Sequence, residues 1–226
     1  MPLSGVLMLG VIAALLAGLA VRDHRARQAA RRRLLDRCVE HFDVHAQTCG
    51  GDGFPILDGL CGGRHVDVRL ISDGMTIRRL PQLWLQVTHL VALEGVSGVA
   101  VLVRPSGGEF FSLTSGFHHI LEAPPSFPRE LIVRGECARS ADALARLAGP
   151  MAAILADARV KEIAVTRRGL RIVRQADEGR RGDYLLLRQA AFEMAPVAAE
   201  TLAAALAGID ALRAATERSS REPVPA

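Results

Sequence analysis

Residues 1–21, MPLSGVLMLGVIAALLAGLAV, form a largely apolar run without a single charged side chain. At a rise of about 1.5 Å per residue, residues 3–21 cover roughly 28 Å as a helix, close to the hydrocarbon thickness of a bilayer. The pattern predicts a transmembrane anchor over 1–21. Polarity then inverts: RDHRARQAARRRLLDRCVEHFDVHAQT has no Pro or Gly and is rich in Ala, Arg and Leu, all good helix formers. The anchor helix is therefore expected to continue to about residue 46 as a basic juxtamembrane helix within 22–49. Gly50-Gly51-Asp52-Gly53 supplies the turn chemistry that ends it.

Beyond residue 50 the period changes from helical to alternating. FPILDGLC and RHVDVRLISD flank Gly62-Gly63, which predicts a two-residue hairpin. Val66, Val68 and Leu70 alternate with Asp67 and Arg69, the pattern of a strand with one polar face. MTIRRL, LWLQVTHLVAL, GVAVLVRP and LIVRG predict further antiparallel strands, KEIAVT and LRIVRQ a hairpin around Arg167-Arg168-Gly169, and DYLLLRQAAF one more strand. Two segments return to helical spacing. Ser140 can cap ADALARLAGPMAAILAD, with Gly149-Pro150 expected to kink or split it. Residues 196–218 place Ala198, Leu202, Ala205, Leu206, Ile209 and Leu212 on one face. The fold class predicted is α+β, an anchored domain over 50–218 with its last helix C-terminal and a disordered tail over 219–226. The order of strands, helix, strands and helix suggests two related halves, 50–157 and 158–218.

The formal charge of +4 changes the picture only through its location. Seven Arg against Asp23 and Asp36 give residues 22–37 a local charge of +5, which leaves about −1 for the remainder. With one Trp and one Tyr in 226 residues, neither a basic face nor stacking platforms for nucleic acid are expected. The Arg cluster after the apolar run sets topology: cationic side chains stay cytoplasmic, which puts the N-terminus outside and the domain inside. Arg22, Arg25, Arg27, Arg31, Arg32 and Arg33 are expected at the membrane surface. The competing reading is a signal peptide cleaved near Gly18-Leu19-Ala20, with export of the remainder. Gly10, Ala14 and Gly18 recur every four residues, a seam along which a second helix could pack.

Candidate chemistry is sparse. In CVEHFDVHAQTC, Cys38, His41, His45 and Cys49 would fall at about 0°, 300°, 340° and 20° on a helical wheel, within one arc. They would also spread over about 16 Å along the axis, too far for one tetrahedral zinc, so only His41 with His45 could share an ion. EFFSLTSGFHHILE gathers Glu109, His118, His119 and Glu122, and His118 with Glu122 would meet on a helix. No G-x-S-x-G elbow, H-E-x-x-H zinc motif or phosphate-binding glycine loop accompanies them. The expectation is a single-pass protein of a bacterial inner membrane, a non-catalytic adapter or accessory subunit without a cofactor. Its partners would be the bilayer and another membrane or membrane-associated protein. A tethered hydrolase or metal-binding enzyme using His118, His119 and Glu122 is the alternative.

Overall fold

A computed structural model describes residues 3–74, 80–182, 184 and 192–221, and the side chains of those between 8 and 218. Among the described residues three helices and nine strands follow one another: α1 (Leu3–Arg32), β1 (Val44–Cys49), β2 (Pro55–Cys61), β3 (Arg64–Asp73), β4 (Gln82–Leu90), β5 (Val99–Val103), β6 (His119–Ile120), β7 (Leu131–Gly135), α2 (Ser140–Leu155), β8 (Val160–Thr166), β9 (Gly169–Glu178) and α3 (Ala199–Arg221). Short 3₁₀ turns lie at Asp36–His41 and Leu113–Gly116. The fold is α+β, as the pattern predicts.

All strands join one antiparallel sheet in the order β1-β2-β3-β4-β9-β8-β5-β7-β6. The β8–β9 hairpin sits between β4 and β5, so segments 50–157 and 158–218 contribute to the same sheet. The β2–β3 hairpin closes through Gly62 and Gly63, both at positive φ, the conformation a two-residue turn of this twist requires.

Alternation sorts each strand's side chains onto two faces. Val66, Val68 and Leu70 of β3, Leu83, Leu85 and Val87 of β4, Ile163 and Val165 of β8, and Leu170 and Ile172 of β9 belong to the main core. Leu144, Leu147, Met151 and Leu155 of α2 and Leu202, Leu206, Ile209 and Leu212 of α3 complete it, so both helices cover one face. Pro150 lies inside α2 without splitting it. The buried stripe on either side, Leu147 and Met151, offsets the hydrogen bond that proline cannot make.

Gly169 begins β9 at φ 147°, and a Cβ built there would lie 2.1 Å from the His89 carbonyl oxygen. Gly169→Ala is expected to cost about 2–3 kcal/mol, read as a lowered urea midpoint at unchanged slope.

Several expectations need correction. The basic helix does not run through 22–49: α1 ends at Arg32, a 3₁₀ turn follows, and Val44–Cys49 is strand β1, paired along its length with β2. Helix propensity is a weak preference, and here backbone pairing with β2 overrides it. Every β1 side chain is exposed, so no apolar alternation announced the strand. The tail expected over 219–226 is helical to Arg221, and 222–226 lie outside the described residues. Most of the strands expected in MTIRRL and DYLLLRQAAF also fall outside them. Among the described residues, no helix is long and apolar enough to cross a membrane.

The end of α1 is not loosely attached. Leu34, Leu35, Cys38 and Phe42 are buried in the main core. The Leu34 carbonyl accepts from Val197 N at 2.8 Å, Gln47 donates to the Arg32 carbonyl at 2.8 Å, and the Arg31 guanidinium lies 5.2 Å over the Phe54 ring. Burial, with a smaller push from Glu40, raises the Cys38 thiol to about 12, which makes it an inert packing group.

Candidate functional site

The face of the sheet opposite α2 and α3 is the unusual one, because charged residues are buried there. On β8 a register irregularity between Val160 and Glu162 places two adjacent charged side chains, Lys161 and Glu162, in the interior. The segment 104–118 lies over this face and is tied to it by both. It starts from Arg104, held at φ 50° by hydrogen bonds from its guanidinium to the Ala158 and Val160 carbonyls.

The first tie is an ion pair between Lys161 Nζ and Glu109 Oε1 at 2.7 Å, with both side chains 4% exposed. Lys161 also donates to the Arg104 carbonyl at 2.7 Å and lies 5.8 Å from the Trp84 ring centre. Glu109 accepts further from the hydroxyl and backbone N–H of Ser106 and from Gly107 N. Burial pushes the Glu109 carboxyl up, but the hydrogen bonds from Lys161 and Ser106 and the Lys161 charge outweigh it and hold the group at about 2.

The second tie centres on Glu162, which is fully buried. Its Oε1 accepts from Ser112 Oγ at 2.5 Å and Leu113 N at 2.8 Å, and its Oε2 faces Arg171 Nη1 at 3.6 Å. Arg171 in turn donates to the Phe111 carbonyl at 2.9 Å. Burial raises the Glu162 carboxyl above its ordinary range, and the Ser112 hydrogen bond and the Arg171 charge recover only part of that shift. Phe111 packs on Trp84 with ring centres 5.9 Å apart, an apolar clasp between the two ties. Ser112 Oγ also accepts from Thr114 N and so caps the 3₁₀ turn. Its hydroxyl is committed on both sides, and with the residue buried it is a structural group rather than a nucleophile.

A cavity of about 590 Å³ opens beside this network, lined by Thr88, Leu90, Leu113, Phe117, Glu136, Thr166, Arg167, Arg168, Gly169 and Arg171. Thr88 and Arg171 are cross-strand neighbours. Thr88 Oγ1, Arg171 Nε and Glu162 Oε2 are buried without a hydrogen-bond partner among the described residues.

The residues that stood out in sequence lie elsewhere. His118, His119 and Glu122 are exposed, at and beside the edge strand β6. The backbone there is not helical, so the four-residue spacing that would join His118 to Glu122 is lost. Glu109 belongs to Lys161 instead. His41 closes the 3₁₀ turn, its Nε2 3.1 Å from the Ala199 carbonyl, while His45 is on β1 against Phe42. Among the described residues no group of three or more His, Cys, Asp or Glu could hold a metal. Gly10, Ala14 and Gly18 lie exposed on α1, as do Arg22, Arg25, Arg27 and Arg32. Arg33 follows α1, also exposed, and Arg31 is half-buried beside Phe54.

The hairpin arginines separate by face: Arg174 turns to the helices, bonding Asp157 at 2.8 Å and the Thr201 carbonyl, while Arg171 turns to Glu162. A signal for the buried network was available, since Lys161 is the only lysine in a chain that otherwise uses arginine. Compared with known proteins, the chain matches no family model and no curated sequence, so the role of this face rests on its own chemistry.

Proposed function

We propose that this chain is a single-pass protein of a bacterial inner membrane, a non-catalytic adapter or accessory subunit that holds an α+β domain against the cytoplasmic face. One observation carries the proposal: along α1 the apolar side chains stand exposed, Leu9 at 71%, Leu15 at 63% and Leu16 at 61%. Apolar side chains left exposed along one stretch of a helix are unfavourable in water and call for lipid or another apolar partner. Residues 3–21 supply 19 uncharged positions, and six arginines follow over 22–33. Near an anionic leaflet each arginine contributes about 1 kcal/mol.

The buried junction at Leu34, Leu35 and Cys38 supports a positional role, because it couples the end of the anchor to the sheet. A flexible tether would let the domain sample any orientation, whereas this junction presents the same edges to a partner each time.

Membrane fractionation tests this directly. Full-length protein is expected in the membrane pellet after an alkaline carbonate wash, and Leu15→Glu combined with Leu16→Glu is expected to move most of it to the supernatant. Recovery of the unmodified chain in the soluble pool would remove the proposal. A C-terminal reporter active in the periplasm would replace the cytoplasmic orientation with export.

A further inference from the structure

We infer that the cavity beside Arg171 is a binding site for a small organic carboxylate with an apolar body, an aryl or branched-chain acid. Its volume, about 590 Å³, lies within the range of small-molecule pockets. Its lining has two parts. Leu90, Leu113 and Phe117 are its apolar lining, and Leu90, at the end of β4, is 41% exposed. The rest of the lining includes Arg167, Arg168 and Arg171 and one acid, Glu136.

Arg171 is balanced by the buried Glu162, but Arg167 and Arg168 exceed the one remaining acid, Glu136. Arg167 and Glu136 approach only to 3.6 Å with both side chains largely in water, an ion pair of little strength. Arg168 makes no ion pair among the described residues. A cleft with low-dielectric walls focuses such an excess on an anion.

The arginines are also held in place. Thr166 Oγ1 accepts from Arg168 N at 3.1 Å and donates to the Gly169 carbonyl at 3.2 Å, which stiffens the β8–β9 turn carrying Arg167 and Arg168. Arg171 is braced by Phe111 and Glu162 through Nη1, and its Nε has no hydrogen-bond partner among the described residues. Thr88, its cross-strand neighbour in the same lining, likewise has a hydroxyl without a hydrogen-bond partner among the described residues. A planar carboxylate matches the arginine fork, with the apolar body against Leu113 and Phe117. Inorganic phosphate satisfies the charge but leaves that apolar lining wet.

Calorimetric titration of the full chain, solubilised in a non-ionic detergent, decides the matter. The probes are benzoate, phenylacetate and 4-methylpentanoate, with benzyl alcohol and inorganic phosphate as controls. At least one carboxylate is expected to bind saturably with Kd below about 1 mM, and each control at least tenfold more weakly. Arg168→Glu, at an exposed position of the β8–β9 turn, is expected to weaken the bound acid by at least about tenfold. Phe117→Ala should weaken it severalfold while leaving phosphate unaffected. The inference is overturned if none of the three acids binds with Kd below about 1 mM, if benzyl alcohol or phosphate binds as well as the acids, or if Arg168→Glu leaves their affinity unchanged.

Discussion

Glu162→Ala is expected to lower the stability of the domain by about 3–5 kcal/mol, the cost of stranding a buried charge and its hydrogen-bond donors. The substitution leaves Arg171 facing an empty space and removes the acceptor of Ser112 Oγ and Leu113 N. Glu162→Gln keeps an acceptor oxygen for both and removes only the negative charge, so a smaller loss of about 1–2 kcal/mol is expected. Urea unfolding of the two variants at pH 7 separates the contributions. Equal losses would show that packing volume, not the polar network, is what Glu162 supplies. The segment 104–118 should also become protease-sensitive in Glu162→Ala before the sheet unfolds, since both of its hydrogen bonds to β8 through Glu162 are gone.

The second large effect lies at the other tie. Lys161→Met leaves Glu109 buried without its counter-charge, and a loss of about 3–5 kcal/mol at pH 7 is expected. Its pH dependence has a definite sign. The folded carboxyl titrates at about 2 against an ordinary 4.5, so its contribution is fully present above pH 4.5 and disappears as the pH falls towards 2. The integrated amount is about 3 kcal/mol. Glu162 acts in the opposite sense: with its carboxyl raised, the stabilisation from its protonated form is complete below its unfolded value and fades as the pH rises through the folded one. In Lys161→Met, and independently in Glu109→Gln, the acid-limb slope between pH 4.5 and 2 should flatten. An unaltered slope in both would remove Glu109 as the source of acid sensitivity.

Legibility in the sequence followed local geometry. Strands with alternating apolar residues, such as β3, were readable because the side-chain period of a strand is two and one face is buried against helices. The Gly62-Gly63 turn was readable because only glycine takes two successive positive φ angles at no steric cost. Strand β1 left no such trace: it is an edge strand exposed on both faces, so its identity comes entirely from hydrogen bonds to β2. The site was hidden for a related reason. Lys161 and Glu162 are sequence neighbours that alternation alone would place on opposite faces, and the irregularity at Val160/Glu162 carries both into the layer under segment 104–118.

By itself the sequence determined the quantities that need no partner in space: the apolar run of residues 1–21, the arginine cluster behind it, the helix stripes of α2 and α3, and the turns. These depend on side-chain chemistry and on periods intrinsic to the backbone. Tertiary structure alone decided where α1 stops, which strand stands beside which, and that Glu109 meets Lys161 rather than His118. Each of those depends on contacts between residues tens of positions apart, and no local spacing encodes them.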